Sequence, residues 1–439
     1  MKAQEVQQKT EADVENAVPH YLVFELGYTG HYPHYIRHLS EFWLKQRNLG
    51  RLTFVVSPQF AQHHSEVLTI GQSEPSHRLS FQIILENEAD GLTPRQSPRM
   101  RAQRSLQEWA LLRQYAQRLQ ATHCLLLYFD SFQTAILLKQ PLPCPFSGIY
   151  FRPTLHYSTF GHYAPTRKER FQEWREQLVL PFVTRHPQLQ HLFCLDPFFT
   201  EFAQQRMRLS NAIYLPDPVE VDTSASAEKV TDFKRQLGID PQRTTCLLFG
   251  ALYDRRKGIA PVLDALVLLT KEQRRSVCLL LVGQLDEQSP LQAKIDEIKA
   301  AYDVQVVIRS GFVPNEEVAL CFQATDVVLA PYQRHVGMSG ILVHAAAAQK
   351  PLIASNYGLL GELVRQNQLG LTVEAAKPES IATAIKRVLS GELETIGDRA
   401  NMKNFARQNC ANNFARLIFQ MLDSSTAKAT QPQAVCTTL

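Results

Sequence analysis

Val306–Val364 reads VVIRSGFVPNEEVALCFQATDVVLAPYQRHVGMSGILVHAAAAQKPLIASNYGLLGELV. A strand ends in Ser-Gly-Phe-Val-Pro, with Val313 and Pro314 at the turn, and a helix follows. A buried strand then closes in Ala-Pro-Tyr, and a Gly-bearing loop opens an alanine-rich helix. Lys350-Pro351, a second apolar strand and Asn-Tyr-Gly complete the run. This order suits an anion site at a helix N-terminus beside the carboxyl ends of parallel strands. Around Ser339, Gly340 and Ile341 the expected helix start presents backbone N–H groups and the positive end of its dipole. Gly340 removes a side chain where a ligand must come close. A diphosphate fits there, and so does a plain capped helix.

Order and spacing are more specific than the cap. The matching positions are Gly311, Val313, Pro314, Asp326, Pro331, Gly337, Ala345, Ala347, Lys350, Pro351, Ile353, Ala354, Gly358 and Glu362. Through them the stretch resembles the donor-binding half of GT-B glycosyltransferases, in particular the retaining family 4, or group 1, enzymes. That resemblance implies two Rossmann-like, doubly wound α/β domains facing a cleft. It also implies a nucleotide-diphosphate sugar as donor, with Ser339, Gly340, Ile341, Val313, Pro314 and Glu362 among the donor-binding residues.

Working outward, 439 residues are too many for one core and suit two domains of about 200 residues each. Hydrophobic residues make up 45% and charged residues 20%, ordinary for a globular chain. A net charge of +4 is weak support for a polyanion partner. There is no apolar run of about 18 residues to span a bilayer. The N-terminus, MKAQEVQQKTEADVENA, lacks the apolar core of a signal peptide. The eight cysteines are scattered without CxxC pairs, which suggests buried thiols in a reducing compartment.

Strand-like and helical runs alternate along the chain, implying parallel sheets covered on both faces. Tyr21–Leu26, Leu52–Val56, Cys124–Phe129, Gly148–Phe151 and His191–Leu195 read as strands of a first domain. Cys246–Phe249, Val277–Val282 and Val304–Ile308 read as strands of a second. Tyr214-Leu-Pro-Asp-Pro-Val219 breaks the alternation and marks the linker. The expected organisation has a disordered stretch at 1–18 and a Rossmann-like acceptor domain at 19–215. A nucleotide-sugar domain follows at 216–400, then a helix at 401–422 crossing back to the first domain, then a disordered tail at 423–439.

The run Leu248-Phe-Gly250-Ala-Leu-Tyr-Asp-Arg255-Arg256-Lys257-Gly258 places three cations after a strand end. Cations fixed there stabilise a departing diphosphate more than the ground state; a solvated basic turn is the plain alternative. The resemblance assigns Lys257 to the family's phosphate-binding lysine. The family's arginine falls on Ala251, leaving Arg255 or Arg256 as substitutes beside Gly250. The family's paired glutamates, eight positions apart, fall on Val336 and His344. Neutral His344 can bond a ribose hydroxyl, or simply pack under the loop. Arg334 and His335 are the nearest polar replacements for the lost carboxylate.

In the first domain, Gly27-Tyr-Thr-Gly30-His31 follows a strand and precedes a helix. By resemblance Gly30 and His31 approach the donor; a tight turn explains them equally, and GxGxxG is missing. His31, His34 and His38 are expected on one helix face, with no metal needed in the family. Asp130, after the Cys124 strand, positions an acceptor hydroxyl or accepts its proton, or else caps the next helix. Arg95, Arg99, Arg101, Arg104, Arg113 and Arg118 share one stretch with a single acid, Glu108. They read as a solvated face, or as a contact with anionic lipid.

The expectation is a glycosyltransferase acting with retention, with Asp130, Lys257 and Arg256 as catalytic residues and no metal or cofactor. Its partners are a nucleotide sugar and an acceptor saccharide, lipid or small molecule. It is expected in the cytoplasm, peripheral to the inner membrane face, and without nucleic acid. The alternatives are a catalytically silent GT-B-like binding protein and a sugar-nucleotide epimerase of the same fold.

Overall fold

The computed structural model describes residues 18–46, 50–72, 78–220, 225–285 and 290–427. The stretch expected to be disordered before Val18, most of the expected tail and Cys436 lie outside the described residues. Contacts divide the chain into two units. The first comprises Met1–Pro153, Gln172–Leu215 and Phe414–Leu439; the second comprises Thr154–Phe171 and Pro216–Asn413. Thr154–Phe171, read from sequence as part of the first domain, thus groups with the second.

The first sheet has the order β3-β2-β1-β4-β5-β6-β7. Its strands are β1 (His20–Phe24), β2 (Arg51–Val56), β3 (Leu79–Ile83), β4 (His123–Leu126), β5 (Phe146–Tyr150), β6 (Leu189–Cys194) and β7 (Ala212–Tyr214). All pairs are parallel. Crossovers include α1 (Tyr32–Lys45), α2 (Pro98–Arg118) and α3 (Arg167–Val183). The strand expected over Cys124–Phe129 is shorter, because the chain turns into a 3-10 turn at Phe129–Phe132. Ser97 Oγ accepts from Met100 N at 3.2 Å and starts α2 at Pro98.

The second sheet has the order β10-β9-β8-β11-β12-β13. Its strands are β8 (Thr244–Phe249), β9 (Val277–Gly283), β10 (Gln305–Ser310), β11 (Val327–Ala330), β12 (Leu352–Ser355) and β13 (Gly370–Val373), again all parallel. The helices α4 (Ile259–Val267), α5 (Asn315–Gln323), α6 (Ile341–Ala347) and α7 (Gly358–Gln366) lie between them in sequence. A strand covered on both faces reads as a continuous apolar run. Accordingly β9, Val-Cys-Leu-Leu-Leu-Val-Gly, is buried at every position.

Strand order reverses between β1 and β4 in the first sheet and between β8 and β11 in the second. Open α/β sheets bind ligands outside the carboxyl ends of the strands at such switch points. That selects Glu25–His31 and Leu127–Asp130 in the first unit, and Gly250–Gly258 and Pro331–Gly340 in the second.

The segment expected as one helix at 401–422 is two: Arg399–Gln408 and α8 (Ala411–Ala427). α8 also runs beyond Asp423, where a disordered tail was expected. Phe414, Ala415, Ile418, Phe419 and Leu422 of α8 belong to the core of the first unit with Tyr35, Trp43 and Phe54. Among the described residues no helix is long and apolar enough to cross a membrane.

Candidate functional site

At the second switch point, glycines clear the ground. β8 ends at Phe249, and Gly250 follows with φ +122°. A Cβ on Gly283 would lie 1.8 Å from Gly250 O, so the exits of β8 and β9 approach closer than any side chain permits. A Cβ on Gly250 itself would lie 2.8 Å from Lys257 Nζ. The lysine therefore runs across the bare backbone at the strand exit.

A 3-10 turn, Arg255–Lys257, carries the three cations. Asp254 Oδ1 caps it by accepting from Arg256 N at 2.9 Å. The Asp254 carboxylate also takes the Arg256 guanidinium, with Nη2 to Oδ2 at 2.6 Å. Arg256 is thereby neutralised by its own loop, and Arg255 is exposed. Lys257 is different. Its ammonium donates to Tyr332 Oη at 2.7 Å and lies 4.3 Å from the centre of that ring. Among the described residues no ion pair engages it.

The loop after β11 is sewn to this turn. Gln333 N donates to Arg256 O at 2.7 Å, and its side-chain amide donates to Pro331 O and Ala375 O. His335 meets Tyr332 edge-on at 5.5 Å, and burial lowers its pKa to about 4, so it is neutral near pH 7. Arg334, in the left-handed region at φ +49°, does not reach toward the strand exits for a sugar. It donates to Glu169, to Ala164 O and to Tyr357 Oη, anchoring the loop to the Thr154–Phe171 segment.

α6 starts after Gly340. Its first turn is partly closed on itself: Leu342 N donates to Ser339 O, and Val343 N and His344 N donate to Gly340 O. The earliest amides, of Gly340 and Ile341, are the ones left at the mouth. A Cβ on Gly340 would come within 3.2 Å of Val219 and 3.7 Å of Asp217 Oδ2. The missing side chain therefore makes room for the linker strand as well. Val336 is half-buried. His344 stacks on Phe322 at 5.0 Å and 22°, and burial lowers its pKa to about 4. One ring face is thus spent on the aromatic packing of Phe249 and Phe322. Glu362 is committed within α7, accepting from Arg365 and from Gln366 Nε2. Val313 is buried and Pro314 caps α5. Between Gly311 and Val313, Phe312 is 85% exposed at the carboxyl end of β10. Sequence reading passed over it; an aromatic inside a turn motif was the available signal.

The first switch point holds a second group of residues. Gly30 has φ +74° and open space around it. His31 is not on the helix face expected for it. It precedes α1, stacks on Phe151 at 4.7 Å, and burial lowers its pKa to about 4. His34 is exposed and His38 buried, so the three histidines do not share one environment. Asp130 caps nothing: Oδ2 accepts from Phe151 N at 2.9 Å, tying the 3-10 turn to the exit of β5. Burial raises its pKa to about 7. Glu25, missed by sequence reading, is buried where β1 ends. Its Oε1 accepts from Gly27 N at 2.6 Å, and burial raises its pKa to about 8. An acid inside the apolar run Tyr-Leu-Val-Phe-Glu-Leu was the signal.

The arginine-rich stretch is also not a uniform solvated face. Arg95 binds both oxygens of buried Glu108, at 2.8 and 2.9 Å, and Arg104 Nε adds a third bond at 2.6 Å. Arg118 lies over the Tyr115 ring.

The family model of glycosyl transferases group 1 matches residues 243–391, covering β8 to the helix after β13. Over 215 residues the chain is 26% identical to a D-inositol 3-phosphate glycosyltransferase of Rhodococcus jostii, covering 45% of this chain and 47% of that one. Over 184 residues it is 29% identical to a phosphatidyl-myo-inositol mannosyltransferase of Mycobacterium leprae, covering 42% and 46%. The chain thus spans about half the length of the curated relatives it matches. Among solved structures, sucrose-phosphate synthase of Thermosynechococcus elongatus aligns with TM-score 0.64 at 16% identity, over 93% of this chain and 100% of that one. HepE of Anabaena, in complex with UDP and glucose, aligns with TM-score 0.62 at 14% identity, over 92% and 100%. The chain thus has the two-unit parallel α/β fold of these structures, GT-B, and over residues 243–391, around the second switch point, it is similar to the glycosyl transferases group 1.

Proposed function

We propose that the protein transfers a sugar, with retention, from a nucleotide-diphosphate sugar to a hydroxyl acceptor. The observation carrying this is Lys257: a cation at the switch point, held by Tyr332 and without a carboxylate partner among the described residues. A pyrophosphate beside it completes the missing charge pair. In this reading the ammonium donates to the leaving phosphate, where negative charge develops, and the Gly340 and Ile341 amides add dipoles aimed at the same group. Phe312 offers an exposed ring for a nucleobase to stack on. Arg255 is the cation still able to reach in, because Arg256 is held by Asp254. No cofactor or metal is called for, as the resemblance implies. That HepE was solved with UDP and glucose supports UDP-sugars as the first donors to try.

The test is calorimetric titration of UDP and GDP into the chain and into Lys257→Ala, followed by an assay for sugar release and transfer. Binding of either nucleotide that weakens at least about tenfold in the variant supports the reading. Equal binding by both proteins removes it. A second reading, a nucleotide-sugar binder without transferase activity, is favoured by Val336, Ala251 and the stacked His344, which replace the family's donor contacts. It predicts the same binding but neither hydrolysis nor transfer with any donor.

A further inference from the structure

α3 is built inside out. Its acids face inward: Glu173 and Glu176 are buried, and Glu176 accepts from Tyr150 Oη at 3.0 Å and from Arg175 Nη2 at 2.7 Å. Leu180 and Val183 are buried beside them, but four large apolar side chains face out. Phe171, Trp174, Leu178 and Phe182 are 64%, 55%, 50% and 60% exposed. Steps of three and four residues put all of them on one side of the helix.

The charged side chains exposed around this stripe are all cations: Arg167, Lys168, Arg170 and Arg175, with Arg185 just past the helix end. The remaining acid, Glu169, is half-buried and occupied with Arg334. A helix that shows aromatic and aliphatic groups with cations and no exposed carboxylate matches one surface above others. Rings and leucine enter the headgroup boundary, while guanidinium and ammonium groups meet lipid phosphates. Trp174 suits that boundary, having an apolar body and a single N–H donor.

We propose that α3 is an interfacial helix that seats the protein on an anionic lipid surface, with Trp174, Leu178 and Phe182 inserted and Lys168 and Arg170 on the headgroups. The arginine-rich stretch at 95–118, read from sequence as a solvated face or else a lipid contact, has Arg95 and Arg104 committed to Glu108. This proposal does not depend on the donor site.

The protein itself supplies the probe. Of its three tryptophans, Trp43 and Trp109 are buried, so Trp174 reports on its surroundings. The full chain would be sedimented with vesicles of phosphatidylcholine alone and of phosphatidylcholine mixed with phosphatidylglycerol, with tryptophan emission recorded in parallel. Sedimentation with the mixed vesicles only, with a blue shift of emission, is expected. Trp174→Phe should abolish the shift while preserving most of the binding. Lys168→Gln with Arg170→Gln should weaken binding ~25-fold, from about fivefold per cation near the surface. Leu178→Ser with Phe182→Ser should remove the bound fraction. Circular dichroism of each variant confirms folding.

No binding to the mixed vesicles, or binding with unshifted emission, overturns the proposal. A dimer in solution that the Leu178/Phe182 variant dissociates, with vesicles ignored, also overturns it and assigns the stripe to a second copy.

Discussion

At the scale of single residues, Glu25 has a measurable consequence. Burial raises its pKa to about 8, whereas an exposed glutamate in the unfolded chain titrates near ~4.3. Between those values the folded chain holds a proton that the unfolded chain releases. Stability therefore falls as pH rises through about 5 to 8. Asp130, raised to about 7, adds to the same slope. In Glu25→Gln the amide oxygen still accepts from Gly27 N, and the pH dependence of the urea midpoint between pH 5 and pH 8 should flatten. An unchanged slope would show that Glu25 is ionised in the fold. Lys257 is the second residue-scale case. Replacing it with alanine removes one charge-assisted bond to phosphate, worth about 2 kcal/mol, so nucleotide affinity should drop roughly thirtyfold with little change in melting temperature.

Elements explain which parts of the chain were legible in advance. β9 and the Ala330-Pro331 and Lys350-Pro351 boundaries are visible in sequence because burial on both faces leaves long apolar runs ending in turn residues. Lys257 was assigned through the resemblance, and the structure lays it across the Gly250 backbone at the β8 exit. Asp130, read as a base or a cap, also tethers Phe151, a residue 21 positions away that no local pattern identifies. α3 was illegible for a related reason. Its apolar periodicity looks the same whether the stripe faces core or solvent, and only the burial of Glu173 and Glu176 fixes the orientation. The packing of elements also sets two costs. Gly283→Ala would push a methyl group into Gly250 O at a φ of +135°, so it should lower stability by about 3 kcal/mol or more by urea denaturation. Glu108→Ala strips the carboxylate that joins Arg95 to α2 and pairs with Arg104 along it. The expected loss is about 3 kcal/mol, at the lower end for a buried pair because Arg95 is partly exposed.

On the scale of the whole molecule, the first unit is assembled from chain segments on both sides of the second. Phe419 of α8 packs against Trp43 at 4.9 Å and Phe42 at 5.9 Å, inside a core whose other members come mainly from residues before Pro216. Phe419→Ala should cost about 3–4 kcal/mol. The loss should appear in the transition of the first unit, resolved by following amide exchange of β1 and β2 against that of β8 and β9. Equal weakening of both sets would mean the units unfold as one. The same feature orders events during synthesis. A ribosome will have delivered the entire second unit before the phenylalanines and leucine that finish the first core emerge. Until then the aromatic floor around Tyr35 and Trp43 stands open, and the nascent polypeptide is a natural client for chaperones that grip exposed aromatic surface.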